Sequence, residues 1–147
     1  MSANISNFVG TSDEVVKHVL SEARVFAVVG ASNNPARASY YVSEFLISKG
    51  FKVVPINPGL AGQELLGQKV YATLADVPGP VDVVDIFRNS DAALDVTRAA
   101  IAESKRLSLK AIWMQLDVIN DVAAAEAQAA GLSVVMDRCP KIELGAG

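Results

Sequence analysis

Short apolar runs alternate with amphipathic stretches along most of this 147-residue chain. The runs are rich in Val, Ile and Phe and are apolar at most positions rather than at every second one. That pattern is typical of strands covered on both faces, as in a parallel sheet. We therefore predict strands at residues 25–29, 52–56, 81–87, 109–114 and 132–136.

The amphipathic stretches predict helices that return the chain from one strand to the next. Ser39 is placed to cap a helix that ends at Gly50, and two more helices are predicted over residues 91–103 and 120–130. An earlier helix is predicted to begin at Thr11, because a glutamate three positions later completes a capping box.

This alternation predicts one α/β domain with a Rossmann-like, three-layer fold and a mostly parallel sheet of five to six strands. The sixth strand would be a short one around Val70. We assign residues 1–23 to an N-terminal segment and helix packed on the domain, residues 24–144 to the domain, and residues 145–147 to a tail. A chain of this length buries one core and leaves no room for a second domain.

Four predicted loops meet at the carboxyl edge of the sheet, where open parallel sheets bind ligands. They span residues 30–38, 57–62, 88–90 and 115–119. The first loop, GASNNPARA, has one glycine where a GxGxxG motif has three. Gly30 allows a tight turn, and Arg37 suits a phosphate because a guanidinium donates a forked pair of hydrogen bonds. A surface turn without a ligand is the alternative for this loop.

The second strand lacks the acidic residue with which dinucleotide enzymes bind the adenosine ribose. No Asp or Glu lies between Phe51 and Gln63, and Asn57 follows the strand instead. This disfavours NAD and NADP. Asn57 and Pro58 are expected to line an adenine or a ribose by backbone contact, with an ordinary turn as the alternative.

Further candidates follow the later strands. Phe87 and Arg88 would suit a ligand with an apolar arm and phosphates, with a core phenylalanine and a solvated arginine as the alternative. Gln115 is a candidate amide donor and acceptor in the crevice. Trp113 is expected in the core. Cys139 is interpreted as a small buried hydrophobic residue, with contact to a ligand thiol as the alternative.

The remaining titratable residues indicate neither a catalytic pair nor a metal site. Asp82 and Asp85 lie three apart on a strand, so they face opposite sides, and we expect both to make structural hydrogen bonds. His18 is the chain's one histidine and is expected on the surface of the first helix.

Composition narrows the functional classes further. A net charge of −3 argues against a nucleic-acid partner, and no apolar run is long enough for a membrane helix. One cysteine excludes an internal disulfide, and the first residues lack a signal-peptide pattern, so a cytoplasmic location is expected. Whether the chain forms a homodimer is left open.

Five segments carry a resemblance to a known family. VVGASNNPARAS, VVPINPGLAGQELLGQKVYATLADV, VDVVDIFR, IWMQLDVIN and GLSVVMDRCPKIE together resemble the small stand-alone CoA-binding domain proteins, over residues 24–144. That family is similar to the CoA-binding domain of the succinyl-CoA synthetase α subunit. The resemblance implies a Rossmann-like fold that holds coenzyme A or acyl-CoA across the strand ends.

The resemblance also implies roles for individual residues. Asn57 and Pro58 would lie near the adenosine, and Phe87 and Arg88 would border the path of the pantetheine arm. The residues implied along the phosphates are Gly30, Ala31, Ser32, Asn33, Arg37 and Ser39.

Three places depart from the family pattern. Gly59 and Leu60 stand where members commonly have Lys or Arg, which suits the 3′-phosphate of CoA. Ala38 replaces a usual proline, and Asp117 replaces a usual glycine. Asp117 also adds a negative charge near a predicted anion site.

The main hypothesis is a CoA or acyl-CoA binding protein without catalysis of its own, because no nucleophile, base and orienting group converge. One alternative is an NAD(P)-dependent oxidoreductase or redox sensor, supported by fold class. The other is a regulatory subunit that has lost nucleotide binding, supported by the departures at Gly59, Leu60 and Asp117.

Overall fold

The computed structural model describes residues 13–146, which form a parallel sheet between two layers of helices. The strands are β1 (Val25–Val29), β2 (Lys52–Ile56), β3 (Glu64–Leu65), β4 (Gln68–Lys69), β5 (Val83–Ile86), β6 (Ala111–Met114) and β7 (Ser133–Val135). The helices are α1 (Asp13–Glu22), α2 (Ala38–Ser48), α3 (Ser90–Ala102), α4 (Ser104–Leu107), α5 (Asp121–Ala129) and α6 (Pro140–Ala146). The predicted fold class is confirmed.

The central sheet has the order β2-β1-β5-β6-β7, and all of its neighbouring strands are parallel. Chain order reverses between β1 and β5, so the loops after these two strands diverge and open a crevice at their carboxyl ends. The short strand predicted around Val70 is present as β4, which pairs with β3, and as a single bridge between Ile56 and Tyr71.

Each face of the sheet has its own apolar core. Val84 and Ile86 of β5 pack on the side of α3 and α5, while Val83 points to the side of α1 and α2. Both faces are therefore buried, which explains why the strand sequences are apolar at nearly every position.

The start of α2 differs from the prediction. The helix begins at Ala38, and Arg37 occupies the N-cap position without a side-chain cap. Ser39 is buried in the first turn, where its carbonyl accepts a hydrogen bond of 2.6 Å from the Ser43 hydroxyl. The predicted cap at Ser39 is wrong because the polar loop ends two residues earlier, at Arg37. Thr11, the cap predicted for the first helix, lies outside the described residues.

Three residues predicted to be structural or exposed are confirmed as such. The Asp82 carboxylate accepts hydrogen bonds from the amides of Arg24 and Val25, at 2.8 and 2.9 Å, which joins β1 to β5 at the edge opposite the crevice. His18 is half exposed beside Glu22 on α1. Trp113 is buried, and its indole N–H donates to a backbone carbonyl at 2.7 Å.

Asp85 is different from Asp82. Its side chain is fully buried in the middle of the sheet, and neither carboxylate oxygen has a hydrogen-bond partner among residues 13–146. The expectation that Asp85 makes structural hydrogen bonds is therefore wrong. Its register neighbours are Val28 and Trp113, so desolvation dominates and raises the pKa of Asp85 well above its ordinary value.

Candidate functional site

Two cavities open at the carboxyl edge of the sheet, and Arg88 lines both. The larger, the α2–α6 cleft, has a volume of about 900 Å³, and its walls include Tyr41, Val42, Phe87, Arg88, Gln115 and Ile142. The smaller, the β2–α3 cavity, has a volume of about 330 Å³, and its walls include Gly30, Asn57, Pro58, Thr73, Arg88 and Val96. These volumes are in the range of small-molecule sites.

Gly30 makes the turn after β1, where the carboxyl ends of β1 and β5 lie close together. Its φ is +90°, and a Cβ there would lie 3.0 Å from the carbonyl oxygen of Phe87. The amides of Gly30 and Ala31 both donate to the Ile56 carbonyl, at 3.1 and 3.2 Å. These two amides therefore fix the loop to β2 rather than facing the crevice.

Asn57 joins two of the predicted loops. Its Nδ2 donates to the Ala31 carbonyl at 2.7 Å, and its Oδ1 accepts from the Gly59 amide at 2.8 Å. Both ends of the side-chain amide are thus engaged within the protein. An aspartate in its ionised form could not donate to the Ala31 carbonyl, so this brace requires the amide found here.

The loop before α2 is shaped by its own side chains. The Ser32 hydroxyl accepts from the Asn34 amide, and the Asn34 side chain accepts from the Ala36 amide, both at 3.0 Å. Arg37 is exposed at the end of this loop, and its guanidinium makes no hydrogen bond or ion pair with the rest of residues 13–146. A positive charge is therefore available there.

The loop from β6 to α5 is held against the start of α3. The Ser90 hydroxyl accepts from the Ile119 amide at 3.0 Å, and the Asp117 amide donates to the Asp137 carboxylate at 2.7 Å. Asp117 has a φ of +67°, in the left-handed region that favours glycine. The glycine usual in the resembled family would fit this backbone without strain.

The α2–α6 cleft contains one unsatisfied polar group. Gln115 is 5% exposed, and its Oε1 has no hydrogen-bond partner within the described residues. Cys139 lines the same cleft and is 4% exposed, so the interpretation as a small buried residue is confirmed. Lys141, also on the cleft wall, lies 5.4 Å from the centre of the Tyr41 ring. The cleft thus combines apolar walls, an open hydrogen-bond acceptor and cations.

The structure brings together some of the sequence-predicted residues and separates others. Gly30, Asn57 and Pro58 line the β2–α3 cavity, Phe87 and Gln115 line the α2–α6 cleft, and Arg88 lines both. Outside both sets of walls are Ala31, Ser32, Asn33, Arg37 and Ser39, of which Ala31 and Ser39 are buried.

Sequence reasoning missed several lining residues. These are Tyr41, Thr73, Leu116, Lys141 and Ile142. Lys141 and Ile142 lie within the segment DRCPKIE, whose likeness to the family was the available signal. No local pattern distinguishes Tyr41 or Leu116 from ordinary helix and loop residues.

Comparison with known proteins decides the family. Residues 24–145 match the model of a family described as the CoA binding domain. The chain belongs to this CoA-binding domain family. The resemblance drawn from the sequence is therefore confirmed.

Relatives of this CoA-binding domain include small proteins and parts of larger ones. The uncharacterized protein YneT of Bacillus subtilis is 32% identical over 127 residues, which cover 86% of this chain and 90% of YneT. A Thermus thermophilus protein of known structure is 33% identical, with a TM-score of 0.83 over 92% of this chain and 98% of its own.

A third relative is the acetate–CoA ligase (ADP-forming) II subunit alpha of Pyrococcus furiosus. It is 39% identical over 64 residues, which cover 43% of this chain but only 14% of the ligase subunit. The shared part is therefore a small portion of that enzyme.

Neither a metal centre nor a membrane-spanning helix is found in the described part of the CoA-binding domain. Among residues 13–146, no three or more His, Cys, Asp or Glu side chains are grouped so that they could hold a metal ion. No helix in this part of the chain is long and apolar enough to cross a membrane.

Proposed function

We propose that this CoA-binding domain binds CoA or acyl-CoA at the carboxyl ends of its strands, without catalysis of its own. The observation that carries the proposal is the pair of cavities that share Arg88. An extended ligand with a nucleotide at one end, phosphates in the middle and a flexible arm at the other matches this arrangement.

In this proposal the adenosine occupies the β2–α3 cavity. Asn57, Pro58 and Thr73 form part of its wall, together with apolar residues such as Val96. Gly59 and Leu60 follow directly after, so the position where relatives commonly have a cation offers no partner to the 3′-phosphate. Dephospho-CoA is therefore expected to bind with an affinity close to that of CoA.

The phosphates would lie between the cavities. Arg88 follows β5 and Arg37 precedes α2, and neither guanidinium is paired within the described part of the chain. Ser32 and Asn33, in the loop between β1 and α2, would add polar contacts. The pantetheine arm would then enter the α2–α6 cleft past Phe87 and Gln115.

The absence of catalysis in the proposal is supported by the surroundings of Cys139. Its buried thiol has no hydrogen-bond partner among residues 13–146, so no nucleophile is joined to a base at this position. Association of two copies into a homodimer stays a prediction, which sedimentation analysis of the purified protein would test.

Calorimetric titration with CoA, dephospho-CoA, NAD and NADP tests the proposed function. We expect binding of CoA and dephospho-CoA, and none of the nicotinamide nucleotides. A preference for NAD or NADP would favour the oxidoreductase alternative. Failure of all four ligands to bind would favour a regulatory subunit that has lost nucleotide binding.

Substitution of Arg88 by alanine should weaken CoA binding by about tenfold to a hundredfold, because a charge-assisted hydrogen bond contributes about 1.5–3 kcal/mol. The Arg37→Ala variant should also weaken binding if the loop before α2 holds a phosphate. Lys105→Ala is the control, since it removes one exposed positive charge from α4, which contributes to neither cavity. An Arg88→Ala variant with the control's affinity would remove Arg88 from the site.

A further inference from the structure

The α2–α6 cleft has largely apolar walls. Tyr41 and Val42 of α2 face it, as do Leu116 of the β6–α5 loop and Ile142 of α6. A pantetheine arm carries two amides and a hydroxyl and leaves such walls largely unmatched. We propose that the physiological ligand is an acyl-CoA whose apolar acyl chain occupies this part of the cleft, an inference that rests on the proposed function.

Exposed apolar side chains lie along the same part of the α2–α6 cleft. Tyr41, Leu116 and Ile142 are 44%, 45% and 54% exposed, and all three line the α2–α6 cleft. Clustered exposed apolar groups around one opening are typical of a binding surface. An aliphatic chain lying against them would remove their apolar surface from water, which is the source of the expected affinity.

The position of Gln115 indicates that the acyl chain is attached to a polar arm such as pantetheine. The Oε1 of Gln115 is an acceptor with no partner in the part of the chain that the structure describes, and it lies in the same cleft, so it leaves an open position for an N–H donor. Pantetheine supplies amide N–H groups, whereas a free fatty acid supplies none. Arg88 and Lys141 on the cleft wall favour the anionic part of a CoA ester.

Titration with CoA and with acetyl-, butanoyl-, hexanoyl- and octanoyl-CoA tests the inference. Each added methylene should lower the Kd by about fourfold until the chain fills the cleft. Free octanoate, measured beside them, should bind far more weakly than octanoyl-CoA, because it has no amide N–H group for Gln115 and none of the phosphates of the CoA part.

Two matched variants locate the acyl chain. Ile142→Ser should weaken octanoyl-CoA binding by about fivefold and free CoA binding much less, because in this placement Ile142 contacts mainly the acyl chain. Ile119→Ser is the control: Ile119 is 49% exposed, close to the exposure of Ile142, but does not line the cleft. Equal effects of the two substitutions would overturn the placement of the acyl chain.

Other outcomes separate this inference from the proposed function. Equal affinities for CoA and every acyl-CoA would overturn the inference and leave CoA binding intact. Octanoate that binds as tightly as octanoyl-CoA would overturn the assignment of a thioester. Binding of neither CoA nor acyl-CoA would overturn both proposals. If Ile142→Ser instead dissociates a dimer in sedimentation without changing acyl-CoA affinity, the apolar wall is an interface between copies.

Discussion

Replacing Gly30 by alanine should lower the free energy of unfolding by about 2–4 kcal/mol, because two unfavourable effects add. The first is backbone strain, since φ is +90° at this position. The second is steric, since the new Cβ would lie 3.0 Å from the Phe87 carbonyl oxygen and 3.2 Å from its carbon. Because these are backbone atoms, relief requires the ends of β1 and β5 to separate.

Gly50→Ala provides the control, measured by urea unfolding beside Gly30→Ala. Gly50 has a φ of +94°, but no atom of the described residues lies within 4 Å of a Cβ built there. Gly50→Ala should therefore show the backbone effect alone, and it should retain the wild-type affinity for CoA. Gly30→Ala should lose affinity as well, because it displaces the strand ends between the cavities. Equal destabilisation by both substitutions would show that the approach of Phe87 is unimportant.

Replacing Asp85 by asparagine should remove a pH dependence of stability. Burial raises the pKa of Asp85, so the folded state keeps a proton that the unfolded state releases above about pH 4. The stability contributed by this group is full below that pH and is lost as pH rises towards the raised pKa, by about 1.4 kcal/mol per pH unit. The free energy of unfolding of Asp85→Asn should therefore exceed that of the wild type by an amount that grows with pH across this window. Urea unfolding at several pH values would measure this difference.

Glu126→Gln is the matched acid-to-amide control, and its sign is opposite. Arg98 holds both carboxylate oxygens of Glu126, at 2.7 and 2.8 Å, and this hydrogen bonding lowers the pKa of Glu126. Its stabilising contribution is present at neutral pH and is lost as pH falls. Glu126→Gln should thus lower stability at neutral pH, while Asp85→Asn raises it. A flat difference between wild type and Asp85→Asn would show that Asp85 is ionised in the folded protein.

The sheet was predictable because buried parallel strands have a composition of their own. Val84 and Ile86 lie on one face and Val83 on the other, so every position of this run except Asp85 is apolar and its place along the chain is visible. Element ends were less predictable. Ser39 has the right chemistry for an N-cap, but the Ser32 and Asn34 turns position the chain so that α2 starts at Ala38.

The candidate site also has features that the sequence could predict and features that it could not. Gly30, Asn57, Arg88 and Gln115 could be chosen because each follows a strand, and parallel strands end at one edge. Whether their polar atoms are free could not be foreseen. The Gly30 amide and both ends of the Asn57 side chain are engaged within the protein, whereas Gln115 Oε1 is open.

The sequence by itself determined the class of fold, the family and which loops lie at the carboxyl edge of the sheet, because strand composition and linear segments carry those properties. Only the tertiary structure decided that Arg88 lies between two cavities and that Tyr41, Leu116 and Ile142 surround one of them. These three residues come from α2, the β6–α5 loop and α6. Their proximity depends on helix packing across the sheet, which short-range sequence patterns do not record.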